Sequence, residues 1–110
     1  MGHFNDYQLS ATATAVYREK VPKDQWRLYV ALGLAGEAGE VAEKHKKLMR
    51  DGYRKELPTE IKKELGDVLW YIAMCAREWG FDLQEIADAN LAKLADRRER
   101  GALHGSGDNR

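Results

Sequence analysis

The stretch from Leu65 to Ala76 carries a single charged residue, Asp67, and is otherwise uncharged. A helix that is apolar on nearly all sides is expected to be buried on nearly all sides. The stretch is too short to cross a bilayer, which takes about 20 apolar residues. We therefore expect it to lie in a protein core. A lone charge in such a core must be paired or must bind a cation, so Asp67 is a candidate functional residue.

The remaining chain is rich in Ala, Leu, Glu and Lys, which favour helices, and a few residues divide it into segments. Pro22 is expected to end the first helix, and Gly52, Gly80 and Gly101 the next three. No strand-like alternation and no internal repeat competes with helices. We predict one all-α domain over residues 1–110, a four-helix bundle with helices at about 4–20, 24–50, 59–79 and 82–99 and a loop-like tail at 102–110.

Polar residues stand where three of these helices should begin. Asp24 is expected to cap the second helix, and Thr59, after Pro58, to open the third. The segment Asp82-Leu83-Gln84-Glu85 has the pattern of a capping box, with Asp82 as the cap.

Charge and cysteine content exclude several classes of protein. The chain has 18 basic and 18 acidic residues, a formal net charge of zero, and so lacks the positive field of a nucleic-acid binder. The single cysteine, Cys75, excludes an intrachain disulfide and a cysteine zinc site and suits a reducing compartment. No signal peptide or membrane span is recognisable. We expect a cytoplasmic protein that binds neither membranes nor nucleic-acid polymers.

Carboxylates recur at i, i+3 spacing beside the predicted core faces of two neighbouring helices. Glu37 and Glu40 flank the apolar stripe of the second helix, and Glu64 and Asp67 lie beside that of the third. Packed antiparallel, the two pairs can converge, and a divalent cation would relieve their repulsion. Oxygen ligands without histidine or cysteine favour Mg²⁺ or Mn²⁺ over zinc. The alternative is that these four acids are solvated on the helix surfaces. Glu43, on the same helix as Glu37 and Glu40, points away from the predicted site.

The fourth helix carries polar residues along a core line. Asn90 and Arg97 share its apolar face and Lys93 lies at its edge, so they should face the acids or a polar cavity. Lysine and arginine beside a carboxylate–metal site can hold phosphate oxygens, and Lys44 on the second helix can also reach phosphate. The alternative for Arg97 is solvation at a helix end, favoured by the helix dipole.

Other side chains are assigned to packing. Trp79 and His45 fall on core stripes, Cys75 is expected to be a small buried apolar residue, and Trp26 is expected to pack against the first helix. A second apolar surface lies on the third helix, opposite or beside its core stripe, and consists of Trp70, Ala73 and Met74. It predicts a helix-on-helix homodimer, or a homotetramer made of two such dimers.

These motifs together resemble the MazG-type nucleoside triphosphate pyrophosphohydrolases, all-α enzymes marked by E-x-x-E and, after a spacer, E-x-x-D. Here Glu37-Ala-Gly-Glu40 is followed after 23 residues by Glu64-Leu-Gly-Asp67. The flanking words LGLAGEAGEVAEKHKK, ELGDVLWYIA and NLAKLADRRERG, followed by GSGDNR, are similar too. The usual R-Y-P-x-G after the fourth helix is here Arg97-Arg98-Glu99-Arg100-Gly101, so this segment departs from the family's pattern.

The resemblance implies Mg²⁺-dependent hydrolysis of a nucleoside triphosphate (an NTP or dNTP) to the monophosphate and pyrophosphate. It implies that Glu37, Glu40, Glu64 and Asp67 are the metal ligands and catalytic acids. The positions it matches to substrate contacts are Lys93 and Arg97 for phosphate, Asn90 for the nucleotide and Tyr71 for the pocket. It also implies a homodimer or a dimer of dimers, with pockets where subunits meet, and a role in clearing surplus or aberrant nucleotides.

Two alternatives to this activity remain open from the sequence. One is a non-catalytic helical regulatory module that has kept the fold, against which the intact set of four acids argues. The other is a phosphoribosyl-ATP pyrophosphatase, whose flanking sequences are less similar. A di-iron carboxylate bundle is disfavoured because it needs Glu-x-x-His pairs, and none occurs here.

Overall fold

The chain forms four α-helices in a computed structural model that describes residues 2–103, 105, 107 and 108, and no strand occurs among those residues. The all-α prediction is confirmed. The helices are α1 (His3–Thr12), α2 (Trp26–Asp51), α3 (Leu57–Glu78) and α4 (Leu83–Glu99), with short 3₁₀ turns at Val16–Glu19 and Lys23–Gln25 between α1 and α2. Extensive packing between α2 and α3 across a short connection makes them an antiparallel hairpin.

The first helix is shorter than predicted, since it ends at Thr12 rather than near residue 20. The hydroxyl of Thr12 donates to the Gln8 carbonyl at 2.8 Å, and that of Thr14 to the Ala11 carbonyl at 2.7 Å. Such side-chain bonds to backbone compete with helix propagation. The Thr14 hydroxyl also accepts a hydrogen bond from the Trp70 indole at 2.8 Å, so a tertiary contact holds the chain out of the helix.

Two other helix starts differ from the prediction, and one agrees with it. Asp24 lies within a 3₁₀ turn and does not cap α2, which follows Gln25 without a side-chain cap. Helix α3 begins at Leu57, so that Pro58 occupies its first turn, where a missing N–H costs nothing. At α4 the capping box of Asp82 and Glu85 is present as predicted.

The buried face of α3 differs in part from the predicted one. Ala73 and Met74, predicted to form a second apolar surface for a dimer partner, are fully buried within the chain. Of the stretch expected to lie in the core, Ala76 is buried, whereas Leu65 is 52% exposed. The reason is that α1 and the first 3₁₀ turn cover the side of Ala73 and Met74, while α4 packs mainly against α1 and meets α3 sparsely. The core accordingly lies between the C-terminal half of α3, the first turns of α2, and α1. Its buried members are Ala11, Tyr17, Val30, Ala73, Met74 and Leu83.

The predicted roles of several single residues also change in the structure. Trp70 packs against the core of its own chain, so it does not provide the free dimer surface assigned to it. Trp79 is 54% exposed and His45 is also exposed, and neither belongs to the core. Trp26 was expected to pack against the first helix; it packs against the core cluster, and its indole donates to the Val21 carbonyl at 2.8 Å. Cys75 is half-buried beside the core.

Side chains of α1 fix the position of α4. The Gln8 side-chain oxygen accepts a hydrogen bond from the Leu83 backbone at 2.9 Å, and that of Asn5 accepts one from the Gln84 backbone at 2.9 Å. Both donors belong to the first turn of α4, where backbone N–H groups lack partners within the helix. Helix α4 is therefore anchored at its beginning.

At the far end of α3, a buried carboxylate ties the helix to the first 3₁₀ turn. The side chain of Glu78 is 5% exposed and accepts hydrogen bonds from the Tyr17 hydroxyl and from Arg18, whose Nε and Nη2 lie 3.0 and 2.9 Å from its two oxygens. Burial and the hydrogen bond to Glu78 raise the pKa of Tyr17 to about 12. This network closes the core opposite the α2–α3 connection.

No described helix is both long enough and apolar enough to span a membrane.

Candidate active site

The α2–α3 hairpin brings acids from both helices to one place. One carboxylate oxygen each from Glu37, Glu64 and Asp67 lies within 4.8 Å of the others. The i, i+3 spacing of Glu64 and Asp67 aligns them on one face of α3, and Glu37 meets them from α2. We call these three residues the acid cluster. Oxygen atoms at such separations match what a divalent cation needs from carboxylate ligands.

The surroundings of Glu37 in the acid cluster raise the pKa of its carboxyl group. Partial burial raises the pKa of Glu37, and so do its hydrogen bond to Glu64 and the negative charges of Asp67, Glu64 and Glu40. The direction of this shift at Glu37 is the one expected where like charges are forced together.

The other acids near this hairpin fall in different environments. Glu40 is exposed and lies outside the group of three, although its charge contributes to the shift at Glu37. Asp67 is exposed, although the apolar stretch around it predicted a buried position. Glu43 points away, as predicted, and pairs with Lys46 at 3.1 Å on the surface.

A cavity of about 320 Å³ opens beside the acids. It is lined by Glu37 and Asp67 on one side and by Thr14, Trp70 and Tyr71 on the other. The Trp70 and Tyr71 rings pack edge to face with centroids 4.9 Å apart. Burial raises the pKa of Tyr71, as do contacts with Tyr29 and the charges of Glu37 and Asp67. The site thus joins a polar, acidic wall to an aromatic one.

The ring of Tyr71 lies directly over Gly33. A Cβ atom at position 33 would stand 2.1 Å from Cε1 of Tyr71, so Gly33→Ala must displace the ring. We expect a loss of about 1–3 kcal/mol in the free energy of unfolding, typical of overpacking, and a changed near-ultraviolet circular dichroism signal from the Trp70–Tyr71 pair. Gly39→Ala is the control, because no atom lies within 4 Å of its added methyl. Equal unfolding midpoints for the two variants would contradict this packing.

The basic residues of α4 bond to the tail instead of to the acids. Arg97 is 3% exposed and donates to Asp108, with its Nη2 3.2 Å from the carboxylate and 3.1 Å from the carbonyl. Lys93 reaches the same carboxylate at 3.0 Å. Asn90 is exposed on the same helix. Among the described residues, no hydrogen bond or ion pair joins α4 to the acid cluster, and the cavity beside the acids is lined without α4.

Lys44 is the predicted phosphate contact that lies on the same hairpin as the acids. Its ammonium is 3.3 Å from Glu60, which also pairs with Arg54 at 2.8 Å. The hydrogen bonds from Arg54 and Lys44 lower the pKa of Glu60 to about 2. Glu60 is therefore paired with Lys44 and Arg54 of its own chain. This pair holds the Lys44 ammonium one turn beyond Glu40 on α2.

Two residues of the cavity wall were not predicted from the sequence to lie at this site. Trp70 is three residues after Asp67, and that spacing alone places both on adjoining parts of one helix surface. No sequence pattern indicated Thr14, because it reaches the cavity only as a result of the early end of α1.

Comparison with known proteins agrees with the geometry. A family model described as "MazG nucleotide pyrophosphohydrolase domain" matches residues 26–101. The chain is 42% identical over 113 residues to the "Gene 37 protein" of Mycobacterium phage L5, an alignment that covers 98% of this chain and 99% of that one. No solved structure matches significantly. The family match spans most of the chain and includes α2, α3 and α4, so the protein belongs to the MazG nucleotide pyrophosphohydrolase domain family.

Proposed function

We propose that the protein hydrolyses a nucleoside triphosphate, an NTP or dNTP, to the nucleoside monophosphate and pyrophosphate, with Mg²⁺ as cofactor and Mn²⁺ able to replace it. The observation that carries the proposal is the acid cluster, three carboxylates of two helices within 4.8 Å, in a chain of a pyrophosphohydrolase family. Such an activity would serve to clear surplus or aberrant nucleotides.

The residues present fit a magnesium ion. The donors are all carboxylate oxygens, which suit a hard cation, and the raised pKa of Glu37 reports a repulsion that a cation would relieve. Glu37, Glu64 and Asp67 would hold the metal, with Glu40 completing the set from the next turn of α2. When bound, a divalent cation neutralises phosphate charge and polarises phosphoryl oxygens.

The remaining work falls to side chains of the protein. One of the carboxylates orients the attacking water and accepts its proton as the water approaches the α-phosphorus. Tyr71, on the aromatic wall of the cavity beside Asp67, contacts the substrate. Lys44 exchanges its contact with Glu60 for a phosphate oxygen, and its positive charge stabilises the negative charge that develops on the departing pyrophosphate.

The products distinguish this reaction from other nucleotide hydrolyses. Attack at the α-phosphorus gives a monophosphate and intact pyrophosphate, whereas attack at the γ-phosphorus gives a diphosphate and inorganic phosphate. We expect only the first pair when a panel of NTPs and dNTPs is incubated with the protein and Mg²⁺ and is followed by phosphorus NMR. Activity should disappear with EDTA and return with Mg²⁺ or Mn²⁺. A diphosphate product would refute the proposal even if nucleotides were consumed.

We further propose that the working form is a homodimer or homotetramer. Leu28 and Leu32, one turn apart on α2, are 59% and 64% exposed, and Leu65 on α3 is 52% exposed. A second copy can cover exposed apolar side chains of this kind. A partner also offers a route by which Asn90, Lys93 and Arg97 reach a substrate, since in one chain α4 bonds to its own tail. Light scattering coupled to gel filtration should give a mass of at least twice 12.5 kDa, and Leu65→Glu should lower it. A fully active monomer would refute this assembly.

A further inference from the structure

A second cavity, unrelated to the acids, lies at the other end of α3. It has a volume of about 670 Å³ and is lined by residues of both 3₁₀ turns, the start of α2 and the end of α3. Its basic side chains outnumber its acidic ones by four to two. The basic residues are Arg18, Lys23, Arg27 and Arg77, and the acidic ones Asp24 and Glu78. Arg77 follows Asp67 by ten residues on one helix, a distance of about 15 Å along its axis.

Two of the guanidinium groups are fixed against tryptophan rings. The Arg18 guanidinium lies 4.3 Å from the centroid of Trp26, and that of Arg27 lies 3.9 Å from the centroid of Trp79. Glu78 holds both, through its carboxylate to Arg18 and through its carbonyl, which accepts from Arg27 Nε at 3.0 Å. The arginines are thus pre-oriented, which reduces the entropy lost when a ligand binds.

The other two basic side chains have unused hydrogen-bonding capacity. The Nη1 atom of Arg77 is buried and has no hydrogen-bond partner among the described residues. Lys23 forms no ion pair with any other residue that the structure describes. A buried donor without a partner is costly and usually indicates a missing water or ion. The dipole of α3 favours one cation at its C-terminal end, but it does not account for four.

We propose that this cavity is a binding site for a phosphorylated small molecule, separate from the acid cluster. Arginine and lysine donors bind phosphate oxygens through charge-assisted hydrogen bonds. Trp79, 54% exposed at the rim, offers a ring on which an aromatic group of the ligand can stack. Inorganic pyrophosphate and a nucleotide share the anionic chemistry and differ in the ring.

The test is titration of the full chain in EDTA, observed by the three tryptophan indole N–H signals in a proton–nitrogen NMR spectrum. We expect pyrophosphate and AMP to shift the signals of Trp26 and Trp79, in the wild type and in Glu64→Gln alike, and to leave Trp70 unmoved. Tighter binding of AMP identifies a nucleotide site, and tighter binding of pyrophosphate identifies a polyphosphate site. Glu64→Gln removes one of the proposed metal ligands, so binding that persists in this variant does not depend on an intact acid cluster. The binding result therefore stands even if the proposed hydrolysis fails.

Variants of the basic residues decide whether the cavity is responsible. Arg77→Gln and Lys23→Gln should each weaken binding about ten-fold, the scale of one lost charge-assisted hydrogen bond. Arg50→Gln is the matched control, because Arg50 is exposed and paired with the adjacent Asp51. Should Arg77→Gln fail to fold, Lys23→Gln still provides the test from an exposed turn. Adenosine that binds as well as AMP, no shift at millimolar ligand, or unchanged binding in Lys23→Gln would overturn the proposal.

Discussion

Replacing Glu64 by Gln, or Asp67 by Asn, is expected to lower the rate of nucleotide hydrolysis by about two orders of magnitude or more, the scale of losing one electrostatic contributor at a reacting centre. Both side chains belong to the acid cluster, where oxygens of three residues lie within 4.8 Å. Each replacement keeps the size of the side chain and removes its charge. The loss should therefore appear in kcat, measured by pyrophosphate release, while the unfolding midpoint stays near that of the wild type.

Glu43→Gln is the matched control for these variants. Glu43 lies on α2 only three residues after Glu40, yet its carboxylate pairs with Lys46 on the surface. Its removal should leave the rate unchanged. If Glu43→Gln were as inactive as Glu64→Gln, the assignment of the metal ligands would be wrong.

Glu78→Ala should be the most destabilising single replacement of a charged residue. The carboxylate is 5% exposed and holds both Arg18 and the Tyr17 hydroxyl, so its removal leaves a partly buried guanidinium and a hydroxyl without their partner. Breaking such a pair costs about 3 kcal/mol, which corresponds to a fall in the unfolding temperature on the order of 10 °C for a domain of this size. Thermal unfolding followed by circular dichroism measures it.

The same residue gives the stability of the fold a defined dependence on pH. Burial alone would raise the pKa of Glu78, but the hydrogen bonds from Arg18 and Tyr17 outweigh it and lower the pKa below its ordinary value of 4.5. Its contribution is therefore complete above that value and is lost as the pH falls through the lowered pKa. The difference in stability between wild type and Glu78→Ala should shrink in acid.

Asp96→Ala is the control for Glu78→Ala, because it removes an exposed i, i+4 pair with Arg100. It should lower the free energy of unfolding by less than about 1 kcal/mol.

Local sequence signals predicted α2, α3 and α4 to within a few residues, because their ends depend on nearby residues such as Gly52, Gly80 and the Asp82 capping box. The end of α1 depends instead on a contact between Thr14 and Trp70, 56 residues apart. No periodicity within the segment contains that information. The sequence likewise indicated that α3 has two apolar faces but not which of them α1 would cover.

The acids of the candidate site followed from spacing because they lie on two regular helices joined by a short connection. The i, i+3 interval fixes Glu64 and Asp67 on one face of α3, and antiparallel packing brings Glu37 to them, whereas Glu40 lies outside the acid cluster. The positions of Lys93 and Arg97 did not follow, since both contact Asp108, which lies beyond the end of α4 and outside any helical periodicity. Glu78 and its network were also missed, because a single glutamate near a helix end looks like an ordinary surface residue.

The uneven placement of the core along the α2–α3 hairpin has a consequence for local motion. Val30, Ala73, Met74 and Ala76 are buried toward one end, whereas the stretch between Lys44 and Gly66 contains one buried residue, Leu57. We expect backbone hydrogen bonds at the first end to break only when the whole domain unfolds, and those near the connection to open at a lower free energy. Amide exchange should thus quicken from the core end of the hairpin toward its connection, with the acid cluster between the two regimes. A cation held by both helices would join them there, so that occupancy of the cluster and rigidity of the hairpin are thermodynamically linked.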